Sequence, residues 1–201
     1  MKLYYSPGAC SLASHIVARE AGIDVTLEKV DIASKKTASG EDFLAIVPKG
    51  YVPALGMDNG EVLTEGTAIL QYLADLKPES GLAPANGTLP RYRLQEMLGY
   101  INSEIHKNYS PLFNKQTLPE ARSEKEETLR KKYALIESTL GNGAFLFGDT
   151  FTAADAYLFT VTNWARMVKL DLGAFPNLLA FQKRVAARPA VQSALQAEGL
   201  A

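Results

Sequence analysis

The spacing of apolar and polar positions changes character beyond Leu76. Before it, strand-like and helix-like patterns alternate. Lys2-Leu3-Tyr4-Tyr5 is short, aromatic and apolar, and Pro7-Gly8 stops it, which predicts a strand and a turn. From Cys10 to Glu20 apolar residues fall at 12, 13, 16 and 17, the repeat of an amphipathic helix. Gly22 follows as its C-terminal stop. Val25 to Val30 alternates at period two and predicts a second strand. Ala33 to Gly40 is polar and basic and predicts a loop, and Asp42 to Val47 predicts a short helix. Two short runs, Val52 to Met57 and Glu61 to Thr64, flank Asp58-Asn59-Gly60, a hairpin signal. Glu65 to Leu76 is apolar at 69, 70, 73 and 76 and predicts a further helix. The order is β-α-β-α-β-β-α.

Residues 77–90, KPESGLAPANGTLP, are rich in proline and glycine and read as a linker. Beyond them the strand signals stop. Residues 91–116, 123–140, 153–170, 175–187 and 190–197 all carry helical spacing. The predicted class is α/β plus all-α: a mixed domain over 1–77, a linker over 78–89 and an all-helical domain over 90–201. Thr152-Ala153-Ala154-Asp155 fits a capping box, with Thr152 as N-cap, Asp155 reaching back and Phe151 placed as a staple. Its role is structural.

Composition narrows the function classes. The chain has 201 residues, 47% of them apolar and 21% charged, enough to bury a core without a disulfide or metal. A net charge of −1 leaves no basic surplus to follow a phosphate backbone, so nucleic acid is not an expected partner. No apolar run approaches the ~20 residues of a membrane span, and no signal-peptide pattern opens the chain. A cytoplasmic protein is expected. A single cysteine, Cys10, excludes an internal disulfide.

Four places carry chemistry. Cys10 lies at a helix start, where unpaired N–H groups and the positive dipole end favour a thiolate; it reads equally as a small buried hydrophobe. Ala13 stands where a C-x-x-C motif would put the second thiol, so any thiol partner is external. Val52-Pro53 starts a short strand. A cis bond there would turn the Val52 backbone outward for an extended peptide, and an ordinary trans edge proline fits the sequence as well. At Leu63 to Ile69 a strand runs into a helix, and the N–H groups of Gly66 and Thr67 suit a carboxylate. Glu65 beside them suits an ammonium group, or only supplies negative charge at the helix start. Ser103, His106 and Lys107 sit three and four apart, on one face of an α-helix. His15, the other of two histidines, points away from Cys10.

Taken together these residues are recognisable. MKLYYSPGACSLASHI, PKGYVPAL, LTEGTAILQYLAD, SEIHK, FTAADAYLFTVTNWA and RPAVQSALQAEGL, in that order, resemble the bacterial beta class of cytosolic glutathione transferases over nearly the whole chain. Within the class the chain is similar to the branch associated with biphenyl and other aromatic degradation. The resemblance implies a thioredoxin-like N-terminal domain, an all-helical C-terminal domain and a homodimer. It implies a cis Val52–Pro53 bond, with Val52 pairing the cysteinyl backbone of glutathione. Glu65, Gly66 and Thr67 would hold the γ-glutamyl end and Lys35 the glycine carboxylate. Cys10 would lie near the glutathione sulfur, with His106 and Lys107 approaching from the helical domain and Ser103 reaching glutathione in the neighbouring subunit. Trp164, Tyr109 and Phe113 would wall the electrophile pocket. Gly66 stands where the wider superfamily often has serine, and Gly99 where many beta-class members have asparagine. Tyr5 and Ser11 are the hydroxyls available to support Cys10.

The reaction this implies is conjugation of reduced glutathione to a hydrophobic, aryl or chlorinated electrophile, with glutathione as co-substrate, no resident cofactor and no metal. Alternatives are thiol–disulfide exchange or reductive dehalogenation through a Cys10–glutathione mixed disulfide. A non-catalytic carrier of hydrophobic ligands ranks below them.

Overall fold

The computed structural model describes residues Met1–Ala201. They form two compact units, Met1–Ala83 with Ala187–Ala201, and Pro84–Ala186.

The first unit is built on a five-stranded sheet of order β3-β2-β1-β4-β5. The strands are β1 (Lys2–Tyr5), β2 (Thr26–Asp31), β3 (Lys36–Thr37), β4 (Ala54–Gly56) and β5 (Val62–Thr64). β1 runs parallel to β2 and antiparallel to β4, with Leu3 opposite Leu27 and Leu55. The expected hairpin joins β4 to β5, Gly56 facing Val62, and Gly60 takes the left-handed φ of +88° its turn needs. The helices are α1 (Ser11–Glu20), α2 (Phe43–Ile46) and α3 (Gly66–Leu76). Leu3, Tyr4 and Tyr5 are all buried, as a strand covered on both faces requires. On one face Tyr4 packs with Val30, Phe43, Val47, Val52 and Ala54. α1 and α3 pack together, presenting Leu12, Ile16, Ile69 and Leu73, all buried. This is the expected thioredoxin-like arrangement. The basic stretch expected as a loop contains β3, a two-residue strand completed by pairing with β2.

The second unit is all-helical: α4 (Leu89–Tyr100), a π-helical stretch (Ile101–His106), α5 (Lys107–Phe113), α6 (Pro119–Leu140), α7 (Ala153–Thr162), α8 (Trp164–Val168) and α9 (Pro176–Ala186). Every residue of α7 is buried, the mark of a helix enclosed by others. The helix expected over 153–170 breaks at Asn163 into α7 and α8. Before α7, the Asp155 carboxylate accepts from Thr152 N–H at 2.8 Å, Thr152 Oγ1 at 2.7 Å and Leu146 N–H at 2.8 Å. The capping box is present, and it also ties down the preceding loop. Phe151 lies edge-on to Phe145.

The boundary expected at 90–201 needs correction at its end. The last helix, α10 (Pro189–Ala197), packs on α1 and belongs to the first unit. Polar bonds dictate this. Arg188 forks onto Glu20 at 2.6 and 2.8 Å. The buried Glu198 carboxylate accepts from His15 Nδ1 and from Gly8 N–H, each at 3.0 Å. Helical spacing says that a segment has an apolar face; it does not say which neighbour covers it.

Candidate functional site

Cys10 is the N-cap of α1 and its thiol donates to the Val52 carbonyl at 3.2 Å. Burial pushes the thiol up to about 11, and the opposing pull of the Cys10 and Ser11 N–H groups is smaller. Of the two readings of Cys10, a thiolate favoured by the helix start and a small buried thiol, burial supports the second. The helix-end donors are there, but no cation joins them and desolvation of the thiolate outweighs them. The supporting hydroxyls are also engaged or held neutral. Ser11 Oγ is buried and bonds back to Ser6. Burial, with the charges of Glu198 and Glu28, raises the Tyr5 phenol. Alkylation of Cys10 by iodoacetamide is expected to be slow at pH 7 and to climb through pH 10 without a plateau. A plateau below pH 8 would contradict this assignment.

Around Cys10 the first unit gathers the other expected residues. The Val52–Pro53 bond is cis. Lys35 donates from Nζ to the Gly50 carbonyl at 2.8 Å and lies over the Tyr51 ring. A Cβ on Gly66 would stand 3.6 Å from Pro53 Cγ, so the start of α3 abuts the proline. Bonds to the Glu65 carbonyl begin with Ala68 N–H, and Gly66 and Thr67 contribute the first N–H groups of the helix, which lack intrahelical partners. Glu65 itself holds φ +71° and ψ +113°, a conformation that costs a non-glycine residue about 1–3 kcal/mol. Its carboxylate receives the Lys49 ammonium at 2.8 Å, and Lys49 also reaches Thr64 Oγ1 at 3.0 Å. The ammonium partner foreseen for Glu65 is thus a side chain of the protein. Lys49 was not singled out from the sequence, because its only signal is a charge opposite Glu65 in a loop distant along the chain.

In the second unit His106 closes the π-helical stretch. Pro111 inside α5 cannot donate to the carbonyl four residues before it and crowds that carbonyl; the widened turn lies directly upstream. Such turns occur often at functional sites. Asn102 and His106, four residues apart, meet one hydroxyl: Tyr157 Oη lies 2.6 Å from His106 Nδ1 and 2.9 Å from Asn102 Oδ1. Burial, with the nearby Lys107 charge, lowers His106 to about 4, so the imidazole is neutral above that pH. The expected α-helical face of Ser103, His106 and Lys107 is redrawn by the π geometry. Ser103 bonds Glu104, which pairs with Lys132, and Lys107 is exposed.

The three expected aromatic residues do cluster. Trp164 stands edge-on to His106, Tyr109 and Phe113, with ring centroids 4.8, 5.7 and 5.6 Å away. Phe113 is 44% exposed and Tyr109 is 0% exposed. Tyr109 is therefore corrected from a pocket wall to a support behind Trp164. Its hydroxyl is bonded to Tyr133, which donates on to Thr162. No group of His, Cys, Asp and Glu could hold a metal ion.

The first unit thus offers a cis-proline edge, a lone thiol at a helix start and an anion-receiving helix end with a carboxylate beside it. The second surrounds a neutral histidine with aromatic rings. Comparison with known proteins returns the same pairing. Residues 8–76 match the family model of the glutathione S-transferase N-terminal domain and residues 100–189 that of its C-terminal domain. Glutathione S-transferase GstA of Escherichia coli O157:H7 is 48% identical over 200 residues, all of both chains. BphK, a bacterial glutathione transferase solved as a ternary complex, is 52% identical with full coverage of both chains and a TM-score of 0.98. A sphingomonad glutathione S-transferase complexed with glutathione is 49% identical, again over all of both chains, with a TM-score of 0.95. On family models, fold and full-length identity alike, the chain belongs to the glutathione S-transferase family.

Proposed function

We propose that the protein binds reduced glutathione on its first unit and transfers the glutathione thiolate to a small hydrophobic electrophile. The observation that carries this reading is charge and backbone complementarity around Cys10 and Val52. At neutral pH glutathione bears two carboxylates, one ammonium group and a peptide backbone. The unit answers with two ammonium groups on Lys35 and Lys49, one carboxylate on Glu65, the N–H groups of Gly66 and Thr67, and the Val52 backbone beside Pro53. We assign Gly66, Thr67 and Glu65 to the γ-glutamyl end, Val52 to the cysteinyl backbone and Lys35 to the glycine carboxylate. Lys49 exchanges Glu65 for the ligand's α-carboxylate.

In the second unit Trp164 and Phe113 are assigned to the electrophile, His106 and Lys107 to glutathione, and Ser103 to the glutathione of the neighbouring subunit. In the reaction the glutathione sulfur forms a bond to carbon, the leaving group departs with its electron pair, and the thiol proton passes to solvent. We assign Cys10, whose thiol lies beside the Val52 backbone, to orienting the bound sulfur, with the glutathione sulfur as the attacking nucleophile. A homodimer and a cytoplasmic location complete the proposal. For the dimer, the support is the groove at edge strand β5, where Met57, Val62, Leu63, Tyr72 and Leu76 stand beside the polar Asp58, Asn59 and Glu61.

Calorimetric titration with glutathione and conjugation of an aryl halide test the reading. Glu65→Ala should raise the glutathione KM about ten-fold or more, the weight of a charge-assisted hydrogen bond. Cys10→Ala should keep conjugation within about ten-fold, since sulfur orientation contributes one modest interaction. Absence of glutathione binding would refute the proposal, and abolition of turnover in Cys10→Ala would favour disulfide exchange through Cys10.

A further inference from the structure

The hydrogen bonds at Tyr157 determine which nitrogen of His106 carries the hydrogen. A tyrosine hydroxyl has one hydrogen to give and lone pairs to receive. Asn102 Oδ1 can only accept, and the hydroxyl donates to it at 2.9 Å. The contact of 2.6 Å with His106 Nδ1 must then run the other way, from Nδ1–H to the Tyr157 oxygen. A neutral imidazole has one N–H, so the lone pair falls on Nε2. This tautomer is the less favoured one for a free histidine in water, so it needs a partner to hold it. Tyr157 is 2% exposed and set in α7, a helix buried on every side. Burial of His106 keeps the ring neutral at physiological pH.

We propose that Tyr157, anchored by Asn102, is a positioning residue that holds His106 as the Nδ1–H tautomer and leaves Nε2 only as a hydrogen-bond acceptor. The consequence for chemistry rests on the reading that His106 serves glutathione. In this state His106 can receive a hydrogen bond from a thiol but cannot donate one to a thiolate. Its contribution is to orient the S–H group before ionisation, not to stabilise the anion afterwards. Asn102 and His106, four residues apart, share the face of their helical stretch that meets this hydroxyl.

With two histidines in the chain, long-range 1H–15N spectra of a [15N]histidine-labelled sample at pH 7 give two ring systems. His106→Ala assigns them. His106 is expected to show the pattern of a protonated Nδ1 and a lone pair on Nε2. Tyr157→Phe keeps the ring and removes the hydroxyl, and should move most of the signal to the Nε2–H pattern. Asn102→Ala releases the hydroxyl to donate to Nδ1 and should do the same. Asn102→Asp, whose side chain at pH 7 can only accept, should retain the Nδ1–H pattern.

Kinetics form the separate arm. Tyr157→Phe should lower kcat about three- to ten-fold, the worth of one hydrogen bond, with glutathione KM unchanged. An Nε2–H pattern in the wild type, or loss of Nδ1–H in Asn102→Asp with retention in Asn102→Ala, would reverse the chain of donors and overturn the assignment. A shifted tautomer with unchanged kcat would overturn the positioning role. A wild-type protein that shows Nδ1–H but conjugates nothing would refute the functional reading and leave the tautomer assignment standing.

Discussion

Asp155→Ala is expected to cost about 3–5 kcal/mol of folding stability, read as a lowered urea midpoint with an unchanged slope. The carboxylate receives Leu146 N–H, Thr152 N–H and the Thr152 hydroxyl, and all of these contacts are buried. Truncation leaves two backbone donors unpaired in the interior, at about 1–3 kcal/mol each, and also removes the cap of α7. The loss is pH-dependent. Burial raises Asp155 to about 6, above the usual carboxylate value near ~4 in the unfolded chain. A raised folded value means that the native state holds the proton more tightly. The linked stability is fully present below pH ~4 and is lost as pH rises through 6. The gap between wild type and Asp155→Ala should therefore be wider at pH 4 than at pH 7, by about 2–3 kcal/mol at 1.36 kcal/mol per unit. A gap that narrows toward pH 4 would show that the carboxylate is held ionised. Activity per folded molecule should be unchanged, because Asp155 touches no residue assigned to glutathione.

Glu198→Ala is expected to destabilise by about 2–5 kcal/mol, the cost of leaving a buried and a part-buried donor without their acceptor. Two things are lost at once: the acceptor for His15 Nδ1, fully buried on α1, and the acceptor for Gly8 N–H in the turn before Cys10. His15 Nε2 also receives Arg19 at 3.4 Å, so the imidazole cannot turn to find another partner without breaking that contact. Glu198→Gln should recover only part of the loss, since the amide keeps one acceptor oxygen and sets an NH2 group against the other donor. The local signature is hydrogen exchange. The N–H of Gly8 should lose protection in Glu198→Ala while β1 retains its own. Uniform loss of protection across the first unit would mean that Glu198 holds the unit together globally and not the turn in particular.

These two residues mark where sequence reading succeeds and where it stops. The Thr152–Asp155 box is local. Its members are three residues apart, and the geometry of a helix start is the same in any protein. The hairpin at Asp58-Asn59-Gly60 is local in the same sense, because positive φ at the turn selects the residue types. Glu198, in contrast, meets His15 and Gly8 across nearly the whole chain, and nothing in its neighbours announces a buried carboxylate. The cysteine shows a third case. Its place at a helix start was legible, and so was the tendency of that place to favour an anion. Burial was legible only as an equal alternative, and which of the two prevails was not legible.

By itself the sequence determined the order of elements, the mixed and helical parts, the cap of α7 and, through its ordered motifs, the family. All of these depend on periodicity, turn stereochemistry and short-range hydrogen bonds, which act over a few residues. Only the tertiary structure decided that α10 joins the first unit, that Lys49 occupies Glu65, that Tyr109 is buried behind Trp164 and that Tyr157 governs His106. Each of those depends on which distant groups are brought within about 3 Å and shielded from water, and burial and pairing at that range set both the charge state and the hydrogen-bond direction.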